Sequence, residues 1–136
     1  ARLNAPLAIM EKRRLGNSGG TETMNVIGEV EGMRALTVDD EIDTAGSTVN
    51  TVEALLEHGA TEVYSCCTHP ILSGPAIQRI SASSVKEVVV TDSVPIGPEK
   101  HLDKVTVLSL ASLLGEAIRR IHTGSSIGDM FQQDFD

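Results

Sequence analysis

Residues 36–48, Leu36-Thr37-Val38-Asp39-Asp40-Glu41-Ile42-Asp43-Thr44-Ala45-Gly46-Ser47-Thr48, constrain the fold more than any other stretch of this chain. Apolar and β-branched residues make residues 34–38 a buried strand. Two adjacent carboxylates and a short turn with Gly46 follow, and a helical pattern enters at Val49-Asn50-Thr51-Val52-Glu53-Ala54-Leu55-Leu56. A strand, an anion-binding loop and a helix in that order are the building unit of a parallel α/β sheet.

The chemistry of such a junction follows from the backbone. The first turn of a helix leaves several N–H groups unpaired and carries the positive end of the helix dipole, so a phosphate there meets donors and favourable charge together. Thr44, Ser47 and Thr48 add hydroxyl donors. Ala45 and Gly46 are small enough to let the backbone approach a ligand, and Gly46 can also adopt dihedrals that other residues avoid. Asp39 and Asp40 cannot bind phosphate themselves, because like charges repel. They suit sugar hydroxyls, or a divalent cation bridging to them. A sugar phosphate satisfies both halves of the loop.

The 136 residues amount to one domain by length, and the net charge of −8 argues against nucleic acid or an anionic membrane as partner. No apolar run approaches the ~20 residues of a membrane span and no signal-peptide pattern opens the chain, which gives a cytoplasmic expectation. Cys66 and Cys67 are neighbours on a predicted strand, point to opposite faces and read as packing residues rather than a disulfide or zinc framework.

Around the junction, Pro6-Leu7-Ala8-Ile9-Met10 reads as a buried strand, residues 25–30 as a short, partly exposed one, and residues 61–68, 85–93 and 105–108 as further strands. Residues 11–24, with Gly16, Gly19 and Gly20, read as a mobile loop whose opening triplet Lys12-Arg13-Arg14 holds three of the eleven basic residues. A short helix begins near Pro75 with Ser73 as its expected cap. His69 reads as a loop hydrogen-bonder or a pocket contact, and Asp92-Ser93 as loop-capping residues. Ser109 opens a last helix with Leu110, Leu113, Leu114, Ala117, Ile118 and Ile121 on one face. The start, Ala1-Arg2-Leu3-Asn4, resembles the end of a helix and suggests a sequence that begins inside a larger protein.

The run Val38-Asp39-Asp40-Glu41-Ile42-Asp43-Thr44-Ala45-Gly46-Ser47 resembles the phosphoribosyl-binding loop of type I phosphoribosyltransferases and, more closely, of ribose-phosphate pyrophosphokinases. Ala5-Pro6-Leu7-Ala8-Ile9-Met10-Glu11-Lys12-Arg13-Arg14 and Thr68-His69-Pro70-Ile71-Leu72-Ser73-Gly74-Pro75-Ala76 resemble the synthetases specifically, in the same order along the chain. Two loop positions depart from the common pattern, Ala45 for Gly and Ser47 for Thr. The resemblance implies a mostly parallel, twisted α/β sheet with helices on both faces, of the type I phosphoribosyltransferase kind. It implies that residues 1–136 form the C-terminal domain of a two-domain synthetase, with residues 12–24 as the flexible catalytic loop and 124–136 as the tail.

The implied reaction moves the diphosphate of ATP onto ribose 5-phosphate, giving phosphoribosyl pyrophosphate and AMP, with Mg2+ as cofactor. Lys12 and Arg14 would stabilise the transferring group, with Arg14 also near ribose 5-phosphate. Residues Asp43, Thr44, Ala45, Gly46 and Ser47 would hold the 5-phosphate, and Asp39 and Asp40 the ribose hydroxyls, directly or through the metal. The tail Gly124-Ser125-Ser126-Ile127-Gly128 resembles the segment in which serines, here Ser125 and Ser126, form a regulatory phosphate or ADP site, although the family often has Ser where Gly128 stands. A homo-oligomer, a hexamer by resemblance, and an inactive isolated fragment are implied as well. A phosphoribosyltransferase and a non-catalytic, synthetase-associated regulatory subunit are the alternatives.

Overall fold

The computed structural model describes residues 5–14 and 22–131; of residues 12–14 and 22–24 it describes the backbone only. Strand β1, Ile9–Arg14, pairs antiparallel with β2, Glu22–Ile27, from Ile9 opposite Ile27 to Arg14 opposite Glu22. The loop expected over residues 11–24 is therefore shorter, because both of its flanks are strand; residues 15–21 lie outside the described residues. Polar residues on a two-stranded ribbon need no apolar alternation, since ladder hydrogen bonds rather than a buried face define the element. The buried strand expected over residues 6–10 is also corrected. Leu7 is 83% and Ile9 54% exposed, since only one side of the ribbon, through Ala8, Met10 and Val26, packs against the core.

The main sheet contains β3, Arg34–Ile42, β4, Glu62–Pro70, β5, Glu87–Thr91, and β6, Val105–Leu108, in that spatial order and parallel throughout. Helix α1, Gly46–Glu57, joins β3 to β4, and α2, Ala76–Ala82, joins β4 to β5. A short 3-10 turn, Pro98–Lys100, precedes β6, and α3, Ala111–Thr123, follows it. Right-handed crossovers that step one way across a parallel sheet deliver their helices to the same face. The core agrees: Val63, Cys67, Val88 and Val90 of the sheet are buried with Val52 and Leu55 of α1 and Ala76 and Ile80 of α2.

The expected α/β class and parallel sheet are thus present, while the second face is open among the described residues. On β3, Leu36 and Val38 are 50% and 73% exposed. Helix α3 carries the expected apolar stripe but buries none of its residues. No helix among the described residues is long and apolar enough to cross a membrane.

Helix ends follow the sequence closely at one point and not at another. His58 caps α1, its Nδ1 2.7 Å from the Ala54 carbonyl, and Gly59 follows with φ +88°. Ser73, the expected cap of α2, gives its hydroxyl instead to the Asp43 carboxylate, and α2 starts after Pro75 with no side-chain cap. Ser73 stands two residues before the Pro75 cap position, its hydroxyl hydrogen has a charged acceptor in Asp43, and Pro75 already fixes the helix entry.

Candidate functional site

The carboxylates fall on strand β3 itself, which runs beyond Val38 to Ile42 because Glu41 and Ile42 still have partners, His69 and Pro70, on β4. Residues 39–48 line an open cavity of about 260 Å³ at the sheet's carboxyl edge. Asp39 Oδ1 accepts the Asp40 N–H at 3.0 Å and Asp40 Oδ1 accepts the Glu41 N–H at 2.9 Å. Each carboxylate is oriented through one oxygen, and its other oxygen has no hydrogen bond among the described residues.

Helix α1 begins at Gly46, three residues earlier than the apolar pattern suggests, so the unpaired N–H groups of its first turn belong to residues of the loop. The left-handed residue is Ala45, with φ 59° and ψ 12°, rather than Gly46. Gly46 serves a different need: a Cβ there would stand 3.3 Å from Nη1 of Arg79. Thr48 is buried, whereas Ser47 and Thr44 are exposed.

The predicted residues 39, 40 and 43–47 are therefore brought together around one cavity. Lys12 and Arg14 lie on β1, and their side chains fall outside the described residues. Ser125 and Ser126 lie elsewhere, just past the C-terminus of α3. The Ser125 N–H donates to the Arg120 carbonyl at 2.9 Å, and Arg120 Nη1 donates to the Ser126 carbonyl at 2.7 Å. Arg120 is anchored in turn by Glu116, whose carboxyl is held down at about 2 by its hydrogen bonds from Arg119 and Arg120.

His69 behaves as a loop hydrogen-bonder. Its Nδ1 is 2.9 Å from Ser93 Oγ, and that hydroxyl donates to the Thr68 carbonyl at 2.8 Å, so Ser93 accepts from the imidazole N–H. Asp92 caps the entry to α3, accepting from the Leu110 N–H at 2.7 Å and the Ser109 hydroxyl at 2.6 Å, and these bonds hold its carboxyl below the usual range. Sequence reasoning missed Arg79 and the role of Ser73, both of which touch the loop from α2 and the turn before it. The only available signal was positional: the turn after β4 emerges at the same sheet edge as the loop after β3.

Behind the loop, burial pushes the Cys67 thiol up to about 11, from an ordinary value of 9.0. The folded protein holds this proton to higher pH than the unfolded chain, so the associated stability is present below pH 9 and is lost as pH rises towards 11. The melting temperature is expected to fall across that window, and to fall less in Cys67→Ala. Equal falls in the two proteins in a pH series of thermal melts would remove this thiol as a cause.

The family model of the phosphoribosyl synthetase-associated domain matches residues 14–132. The chain belongs to this family. Among its relatives, the ribose-phosphate pyrophosphokinase of Caldanaerobacter subterraneus subsp. tengcongensis is 55% identical over 130 residues, covering 96% of this chain and 41% of that protein. The ribose-phosphate pyrophosphokinase of Oceanobacillus iheyensis is 52% identical over the same shares of the two chains. The crystal structure of phosphoribosylpyrophosphate synthetase from Mycobacterium smegmatis superposes with a TM-score of 0.73 at 39% identity, over 76% of this chain and 35% of that one. The chain spans about two fifths of the length of the curated relatives it matches.

Proposed function

We propose that this chain is the ribose-5-phosphate-binding portion of a ribose-phosphate diphosphokinase. The observation that carries the reading is the 260 Å³ cavity in which two oriented carboxylates stand beside a helix N-terminus within ten consecutive residues. One half suits sugar hydroxyls and the other a terminal phosphate. Membership of the phosphoribosyl synthetase-associated family supports the same substrate class.

In the proposed reaction the anomeric hydroxyl oxygen of ribose 5-phosphate attacks the β-phosphorus of ATP. An O–P bond forms there, the bond from the β-phosphorus to the α,β-bridging oxygen breaks, AMP leaves, and the hydroxyl proton is released. The first turn of α1 anchors the 5-phosphate, which fixes the anomeric carbon at the far end of the sugar. Asp39 and Asp40 orient the ring through its hydroxyls. Positioning and charge neutralisation dominate such transfers, so a cationic pair such as Lys12 and Arg14 suits the transferring group.

Among the described residues no three His, Cys, Asp or Glu side chains form a metal cage. Mg2+ commonly takes one or two carboxylates and completes its shell with water and substrate oxygens, so Asp39 and Asp40 fit a metal shared with the ribose. When bound, Mg2+ would supply neutralising charge at the reacting oxygens. The remainder of the ATP site, and a homo-oligomeric assembly, belong to this proposal as contributions from outside the chain. Calorimetric titration of the chain with ribose 5-phosphate, phosphoribosyl pyrophosphate and ATP, each with and without Mg2+, tests the reading. Both ribose phosphates should bind and ATP only weakly; preferential ATP binding would overturn it.

A further inference from the structure

We infer that Arg79 is a positioning residue for the phosphate loop, acting from behind it through the Thr44 carbonyl; this rests on the function proposed above. Arg79 Nη1 donates to that carbonyl at 2.9 Å, although the two residues are 35 apart in sequence. The guanidinium is held by α2, which is rooted in the core through Ala76 and Ile80, both 0% exposed. Arg79 does not line the cavity, and it pairs with no carboxylate among the described residues of a chain with net charge −8. Its charge therefore acts on the loop and on an anion bound there.

The bond is one of a series. The Leu72 N–H donates to the Ile42 carbonyl and the Ser73 N–H to the Asp43 carbonyl, both at 3.0 Å, and the Ser73 hydroxyl donates to the Asp43 carboxylate. Arg79 continues the series to Thr44, so three successive residues entering the loop are fastened to the segment after β4. Leu72, 1% exposed, takes φ 50° to make its contact, a strained conformation that its surroundings must maintain. The next loop residue, Ala45, is itself left-handed, and the fastening ends where the phosphate cradle begins. Gly46 completes the arrangement, because its missing Cβ leaves the space that the guanidinium approaches.

The test compares Arg79→Met, Arg79→Lys and Gly46→Ala with wild type in the full-length protein carrying this sequence, by steady-state kinetics and by calorimetry with ribose 5-phosphate. Arg79→Met should raise both the Kd and the KM for ribose 5-phosphate roughly tenfold, the scale of one hydrogen bond to a charged group. The KM for ATP and kcat should stay within about twofold on that same scale. Arg79→Lys should recover part of the loss. The Cβ of Gly46→Ala would crowd Nη1 at 3.3 Å and push the guanidinium back by a few tenths of an ångström, so combining it with Arg79→Met should cost less than the product of the single effects. An unchanged Kd in Arg79→Met, or parallel losses in ATP KM, kcat and melting temperature with no rescue by Lys, would overturn the inference while leaving the proposed function standing. Wild type that fails to bind ribose 5-phosphate would overturn both.

Discussion

Replacing Asp39 and Asp40 together by Asn is expected to weaken ribose 5-phosphate binding by about a hundredfold in the presence of Mg2+. Each carboxylate keeps its orientation in the variant, because the amide oxygen of Asn can still accept the neighbouring N–H that Oδ1 now accepts. What changes is the atom turned towards the ligand, where a charged carboxylate oxygen gives way to an uncharged NH2 donor. Hydrogen bonds to charged groups contribute about 1.5–3 kcal/mol each, and two of them correspond to a hundredfold or more. Folding should not suffer. Both residues are exposed and adjacent, so neutralising them relieves repulsion, and the variant should melt at or slightly above the wild-type temperature. Omitting Mg2+ separates the two ways of binding the sugar. If the carboxylates act through a metal, wild type without Mg2+ should resemble the variant; if they act directly, wild type keeps most of its advantage. Titrations in which the double variant binds within twofold of wild type would remove the carboxylates from the site.

The same pair shows what the sequence reveals and what it conceals. The phosphate loop was legible because its residue types have few other uses in that order: β-branched strand, paired carboxylates, small turn residues, amphipathic helix. Its boundaries were less so. Asp is disfavoured in strands, and residues 39–42 looked like loop; register with β4 keeps them in the ladder to Ile42. In the ribbon of β1 and β2, residues 11–14 and 22–24 lacked the periodicity of a half-buried strand, since the ladder satisfies the backbone whether or not a face is covered. On α3 the apolar stripe was plain, but a stripe reports that a face can be buried and not that anything in the same chain buries it. The fastening of the loop by Leu72, Ser73 and Arg79 joins positions about 30 residues apart, and no local pattern marks it. Gly46 was the natural choice for the left-handed turn residue, and the structure puts Ala45 there instead.

That substitution of roles gives the second large effect. Ala45 is 3% exposed with φ 59°, at the N-terminus of the helix that presents the phosphate donors. A left-handed conformation costs an L-residue about 1–2 kcal/mol, and a β-branched side chain more. Ala45→Val adds two buried methyl groups at that point, and overpacking typically costs another 1–3 kcal/mol. The loop escapes both penalties most cheaply by flipping Ala45 out of the left-handed region, which turns the first N–H groups of α1 away from the cavity. Affinity for ribose 5-phosphate should then fall by about a hundredfold, the equivalent of some 3 kcal/mol. Ala45→Gly is the control that isolates the dihedral from the volume. It removes the left-handed penalty, but it also loosens the unfolded chain, so its net effect on stability should be small and its affinity close to wild type. Full binding by the Val variant would show that the phosphate donors do not depend on this backbone conformation. A loss in both variants would mean that the Ala45 methyl itself, packed in the core with Ile42 and Val52, holds the loop in place.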